Sequence, residues 1–158
     1  MERTLVIIKP DGVQRQLVGQ IISRFENKGL KIAGLKMLQV TKAQAQKLYE
    51  AHKKKNFYAG LLKFITAGPV VSLVIEGVQA IAICRKMLGA TFGPDADPGT
   101  IRGDFAASIS YNLIHASDSA ESAGYEIPIF FHPEEIISYQ LNDSKWIYHP
   151  EEEKELGV

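Results

Sequence analysis

The chain has 158 residues, 46% of them hydrophobic and 23% charged, with 18 basic side chains balanced by 18 acidic ones and one cysteine, Cys84. That length and balance suit one domain spanning 1–158, able to bury roughly two thirds of its unfolded surface. Zero net charge argues against a protein whose main task is to coat nucleic acid, which depends on phosphate neutralisation, and a lone cysteine excludes intramolecular disulfides and a cysteine zinc site, pointing to a reducing, cytoplasmic setting.

The apolar start, Thr4 to Ile8, is cut off by Lys9 and Pro10 and is too short for a signal segment. Within it, Leu5 to Ile8 is β-rich and unbroken and reads as a strand buried on both faces, with KPDG as the turn after it. Ile21, Ile22 and Phe25 recur at helical spacing until Gly29. Lys31 to Val40 alternates loosely as a second strand. Thr41 then caps a helix running through Leu48 to about His52. A shorter helix follows around Leu61 to Ile65, ended by AGP. Val70 to Ile75 is a third strand, far below a membrane span of about 20 residues, and Ala80 to Leu88 another helix. Between Gly89 and Asp104 lies one long loop crowded with Gly, Pro and Asp, of a kind that usually carries function or assembly. Leu113 to His115 is the last strand, followed by a helix from about Asp118 and a tail from about residue 142. The order is α/β (α+β) in class: a ferredoxin-like βαββαβ unit whose mainly antiparallel four-stranded sheet is covered by helices, with additional helices and a long loop.

Of the four histidines, His52 sits at a helix end before three lysines, where a solvated cation suits the dipole. His132 flanks a helix start, and His149 lies in the tail. His115 differs, because an apolar strand delivers it to the edge of a helix start made of Ser117, Asp118, Ser119 and Glu121. Backbone amides there disfavour imidazolium and attract phosphate. A neutral imidazole with a carboxylate on its other nitrogen is a competent nucleophile, and Glu126, two turns along the helix, is the candidate partner. A core histidine bonded to backbone fits the local sequence equally well. A metal ligand fits less well, since no second histidine stands at a ligand spacing. Arg85 and Arg102, two of only five arginines, flank the long loop, and Lys9 opens the first turn; gathered around His115 they would bind a triphosphate. Thr91 and Asn112 offer neutral hydrogen bonds, while Tyr49 and Phe57 would by default be core aromatics. Neither GxxxxGK[ST] nor GxGxxG occurs, so phosphate chemistry here needs another design.

Five ordered blocks give the chain a resemblance: TLVIIKPDGV, GPVVSLVIEG, GTIRGDF, NLIHASDSAESAGYEI, and FHPEE with WIY. From Thr4 to Tyr148 it resembles the nucleoside diphosphate kinases. That resemblance implies ping-pong transfer of the γ-phosphoryl group from a nucleoside triphosphate, usually ATP, to a nucleoside diphosphate through a phosphohistidine at His115. It implies nucleotide contacts at Lys9, Arg85, Thr91, Arg102 and Asn112. Tyr49 would lie close to the transferred phosphate, Phe57 would stack on the base, Glu126 would hold the histidine, and Ser117 would supply a hydroxyl nearby. Magnesium would ride on the nucleotide's phosphates, with Asp118 reaching it at most indirectly and no direct protein ligand. Neither a membrane nor nucleic acid is implied as a partner. Lys55-Asn56 and Phe92-Gly93 depart from the family's usual Arg-Pro and Asn-Pro, which bears on the base lid and the loop. The long C-terminal segment favours a homohexamer over a tetramer. The alternative is a non-catalytic nucleotide-binding or scaffolding module, which would be expected to lose the histidine, the lysine or an arginine; all stand here.

Overall fold

The computed structural model describes residues 1–149 and residue 151. The charged terminus from Glu151 to Glu155 therefore lies almost wholly outside the described residues. Four strands, β1 (Glu2–Ile8), β2 (Lys31–Gln39), β3 (Pro69–Gly77) and β4 (Ile114–Ala116), form one sheet in the order β2-β3-β1-β4. Every neighbouring pair is antiparallel. This is the expected ferredoxin-like arrangement, with the two β-α-β crossovers carried by α2 (Val18–Asn27) and α5 (Ala80–Leu88).

Strand period divides the core in two. From β1, Val6 and Ile8 pack with Ile21, Phe25, Cys84 and Leu88 beneath α2 and α5. Leu5 and Ile7 point to the other face, against α3 (Lys42–Leu48), α4 (Tyr58–Ile65) and α7 (Ala120–Phe130). Each fully buried Ile or Phe contributes about 1.5–3 kcal/mol of apolar transfer, so these two layers, more than helix propensity, hold the helices in place. Thr41 caps α3 with a reciprocal bond from Gln44, as its sequence predicts.

The structure corrects several expected boundaries. KPDG is not a simple turn: α1 (Pro10–Gln14) starts there, with Pro10 in the first helical turn, where its missing N–H goes unused. The helix after Thr41 stops at Leu48 and gives way to a 3₁₀ turn over Glu50–His52. The last strand starts at Ile114 because Leu113 takes a left-handed φ of 71°. Ser119 caps α7 through Ser122, so Asp118 lies just ahead of the helix. The long loop contains a 3₁₀ turn at Gly93–Asp95 and a short helix, α6 (Ile101–Phe105). The last described helix, α8, spans Ser144–Ile147.

Candidate active site

At the β4 edge of the sheet, Ile7 stands opposite His115. Ile114 and Ala116 enter the core beneath α2 and α5, so the alternation sends His115 to the α7 face. Along α7, Ala123, Glu126 and Phe130 are buried at helical spacing, and this brings a carboxylate down onto the histidine. His115 Nε2 is 2.9 Å from Glu126 Oε2, and the Ser117 hydroxyl donates to the same oxygen at 2.6 Å. A carboxylate only accepts, so Nε2 carries the hydrogen and Nδ1 keeps the lone pair. The side chain of His115 is 24% exposed, against 11% for Glu126. The imidazole is therefore reachable while its partner is shielded.

Lys9 directly follows β1 and is buried, its ammonium donating to Asn112 Oδ1. The amide of Asn112 donates in turn to the Thr91 carbonyl at 2.7 Å. Lys9 Nζ also lies 5.4 Å from the centre of the Phe64 ring, which stacks obliquely on Tyr111. Burial lowers the Lys9 pKa to about 8, with Asp11 pulling it back up and Arg102 adding to the fall.

Arg102 is buried and joins two loops. Its guanidinium donates to the carbonyls of Gly89 and Ala90 on one side and of Asn112 and Ile114 on the other. All three nitrogens of the guanidinium are thus tied to the main chain. Burial, and secondarily Arg85, lowers its pKa to about 10. Arg85 donates to the Ala116 carbonyl at 3.3 Å.

Tyr49 ends α3 and is buried; burial, then the charges of Glu126 and Asp11, raise its pKa to about 12, so the phenol stays a neutral donor. Tyr49, His52 and Phe57 form a tilted aromatic run, with ring centres 6.3 Å and 5.7 Å apart. Phe57 at its end is half exposed. Asp118 is exposed, and its carboxyl is held below the usual range chiefly by the Ser122 hydroxyl, helped by Ser119 and Arg85 against partial desolvation. Among the described residues no three His, Cys, Asp or Glu side chains gather as a metal-binding group.

The structure thus links Lys9, Thr91, Arg102 and Asn112 in one network and His115, Ser117 and Glu126 in another. Arg85 reaches the second through Ala116, and Tyr49 lies within electrostatic reach of Glu126. Phe57 is linked to Tyr49 through His52. Sequence reading missed three residues: Asp11, Phe64 and the place of His52 in the aromatic run. Asp11 stood inside KPDG, but its role depends on a backbone 102 positions away. A separate hollow of about 440 Å³, lined by residues including Lys31, Glu76, Tyr139 and Tyr148, lies toward the opposite end of β1. Its charges are already paired, Glu76 with both Lys31 and Arg3.

A family model for nucleoside diphosphate kinase matches residues 2–136. A nucleoside diphosphate kinase of Kosmotoga olearia is 54% identical over 141 residues, 89% of this chain and 96% of its own. The structure of a halophilic nucleoside diphosphate kinase from Halobacterium salinarum in complex with CDP superposes with a TM-score of 0.91 at 44% identity, covering 94% of this chain and 99% of that one. A transition-state mimic of the enzyme from Borrelia burgdorferi, with bound vanadate and ADP, gives a TM-score of 0.88 at 41% identity over 93% of this chain and 98% of its own.

Proposed function

The chain belongs to the nucleoside diphosphate kinase family, and from that premise we propose that His115 Nδ1 is the atom that carries the phosphoryl group between two nucleotides. The observation that supports this is the Nε2 to Glu126 contact of 2.9 Å. In the first half-reaction the Nδ1 lone pair attacks the γ-phosphorus of a nucleoside triphosphate, usually ATP. The bond from that phosphorus to the bridging oxygen breaks, and the diphosphate leaves with the electron pair. Nε2 keeps its hydrogen throughout, and Glu126 stabilises the positive charge growing on the ring. In the second half-reaction a terminal oxygen of another nucleoside diphosphate attacks the phosphohistidine, the N–P bond breaks, and Nδ1 recovers its lone pair. Because both nucleotides use one pocket in turn, one set of contacts serves both directions.

Phosphoryl transfer is mostly positioning and charge stabilisation. Lys9 supplies a point charge from a dry site, Arg85 and Arg102 supply guanidinium charge, and Tyr49 a neutral hydroxyl. Thr91 and Asn112 hold the nucleotide, Ser117 steadies Glu126, and Phe57 offers a ring face to any base. Magnesium, carried on the nucleotide, supplies further neutralisation of phosphate oxygens when bound, with Asp118 within reach at most through water. We read 1–158 as one folding unit that acts in the cytoplasm, without membrane or nucleic acid. Among the described residues no helix is long and apolar enough to cross a membrane. We expect a homohexamer, which light scattering would report as six chain masses; four would contradict it.

The test is replacement of His115. His115→Gln is expected to lose transfer by on the order of 10⁴-fold or more while ADP binding, read by calorimetry, stays within a few-fold. Retained transfer would move the nucleophile elsewhere.

A further inference from the structure

Leu113, two residues before the nucleophile, has a φ of 71° and is fully buried. A bulky residue adopts this left-handed conformation only where its surroundings impose it. Both of its backbone groups are clamped from the segment where β1 passes into α1: its N–H donates to Asp11 Oδ2 at 2.9 Å, and its carbonyl accepts from the Lys9 N–H at 2.8 Å. The other carboxylate oxygen, Asp11 Oδ1, is buried and takes no hydrogen bond. Leaving a buried oxygen without a hydrogen bond is unfavourable. Leu113 separates Asn112, which holds Lys9, from the strand that carries His115.

We propose that Asp11 is a positioning residue: its carboxylate holds Leu113 in the left-handed turn, fixing Asn112 and His115 relative to each other, and sets a negative charge beside the buried Lys9. Four groups face Lys9 from the elements around it: Asp11 on α1, Arg102 on α6, Asn112 before β4 and the Phe64 ring on α4. Asp11 is the single negative charge among them, and it opposes both the burial of Lys9 and the charge of Arg102. Without it the backbone at Leu113 relaxes out of its turn and Asn112 moves with it. Misplacement on this scale lowers rates without removing any group that touches substrate.

The inference rests on Lys9 and His115 acting as proposed above, and the experiment separates the two. Asp11→Ala and Asp11→Asn are compared with the full-length wild type, each checked for folding by circular dichroism. The rate of His115 phosphorylation by saturating ATP is read by rapid quench, and steady-state profiles are taken from pH 6 to 10. Asp11→Ala is expected to slow phosphorylation by about 10- to 100-fold. Asp11→Asn keeps an oxygen for the Leu113 N–H and recovers most of that rate near neutrality, yet loses activity at a lower alkaline pH than wild type. A wild-type rate in Asp11→Ala, or an unmoved alkaline limb in Asp11→Asn, would overturn the proposal. If Asp11→Ala does not fold, the alkaline limb of Asp11→Asn decides alone. A wild type that is never phosphorylated on His115 would instead overturn the reading of the site.

Discussion

His115 and Ser117 converge on one oxygen, Glu126 Oε2, at 2.9 Å and 2.6 Å. Two residues apart on or just beyond β4, they point to the same side of the sheet, and α7 brings the carboxylate to both. The carboxylate is thus fixed from two directions, and with it the tautomer of the imidazole.

Glu126→Gln keeps the shape of this contact but not its charge. The phosphorylation rate of His115 is expected to fall by about 10- to 100-fold, with nucleotide affinity little changed. An unchanged rate in rapid-quench measurements would remove Glu126 from the chemistry.

Lys9 should set the alkaline limit. If Lys9 holds phosphate in its charged form as proposed, then with its pKa lowered to about 8 kcat/KM is expected to fall as pH rises through that value. The stability effect has the opposite sense. Because folding depresses the pKa from 10.5 to about 8, the native state bears the penalty for the charge in full below pH 8 and sheds it as pH rises toward 10.5. Lys9→Met should therefore lose nucleotide binding while gaining stability near neutrality, by up to about 3 kcal/mol, less what its bond to Asn112 contributes. Urea unfolding at neutral pH and near pH 10 would check this, since the gain should shrink at the higher pH.

Arg102 straps two loops together. Arg102→Lys leaves an ammonium that cannot span the carbonyls of Gly89, Ala90, Asn112 and Ile114. A loss of about 3 kcal/mol or more is expected, or roughly 10 °C in Tm, alongside reduced activity. A variant with wild-type Tm would show that the strap contributes nothing to the fold.

Much of this was legible in the residues themselves. Leu5–Ile8 of β1 is an unbroken apolar run, and Val70–Ile75 of β3 is interrupted only by Ser72, because both faces of the sheet are covered there; α5 runs from Ala80 to Leu88 as its apolar pattern predicts. The pairing of His115 with Glu126 was readable because a short strand followed by a capped helix fixes where the second buried turn falls. Other features depend on contacts distant in sequence. α1 is a five-residue helix written in turn residues, and its Asp11 gains meaning only from Leu113. The commitment of Arg102 to main-chain carbonyls depends on where two loops meet. Composition could not separate His115 as nucleophile from His115 as core, since that choice turns on which face of β4 it occupies and what lies above it.

The central claim is that His115 Nδ1 takes up the phosphoryl group, and label transfer tests it most directly. The purified wild type is incubated with γ-labelled ATP, separated from nucleotide, then chased with GDP. The expected result is acid-labile, base-stable label on the peptide containing His115, bound to Nδ1 by NMR and passing quantitatively to GTP. Label that is acid-stable, sits on another residue or on Nε2, or cannot be chased to GTP would contradict it.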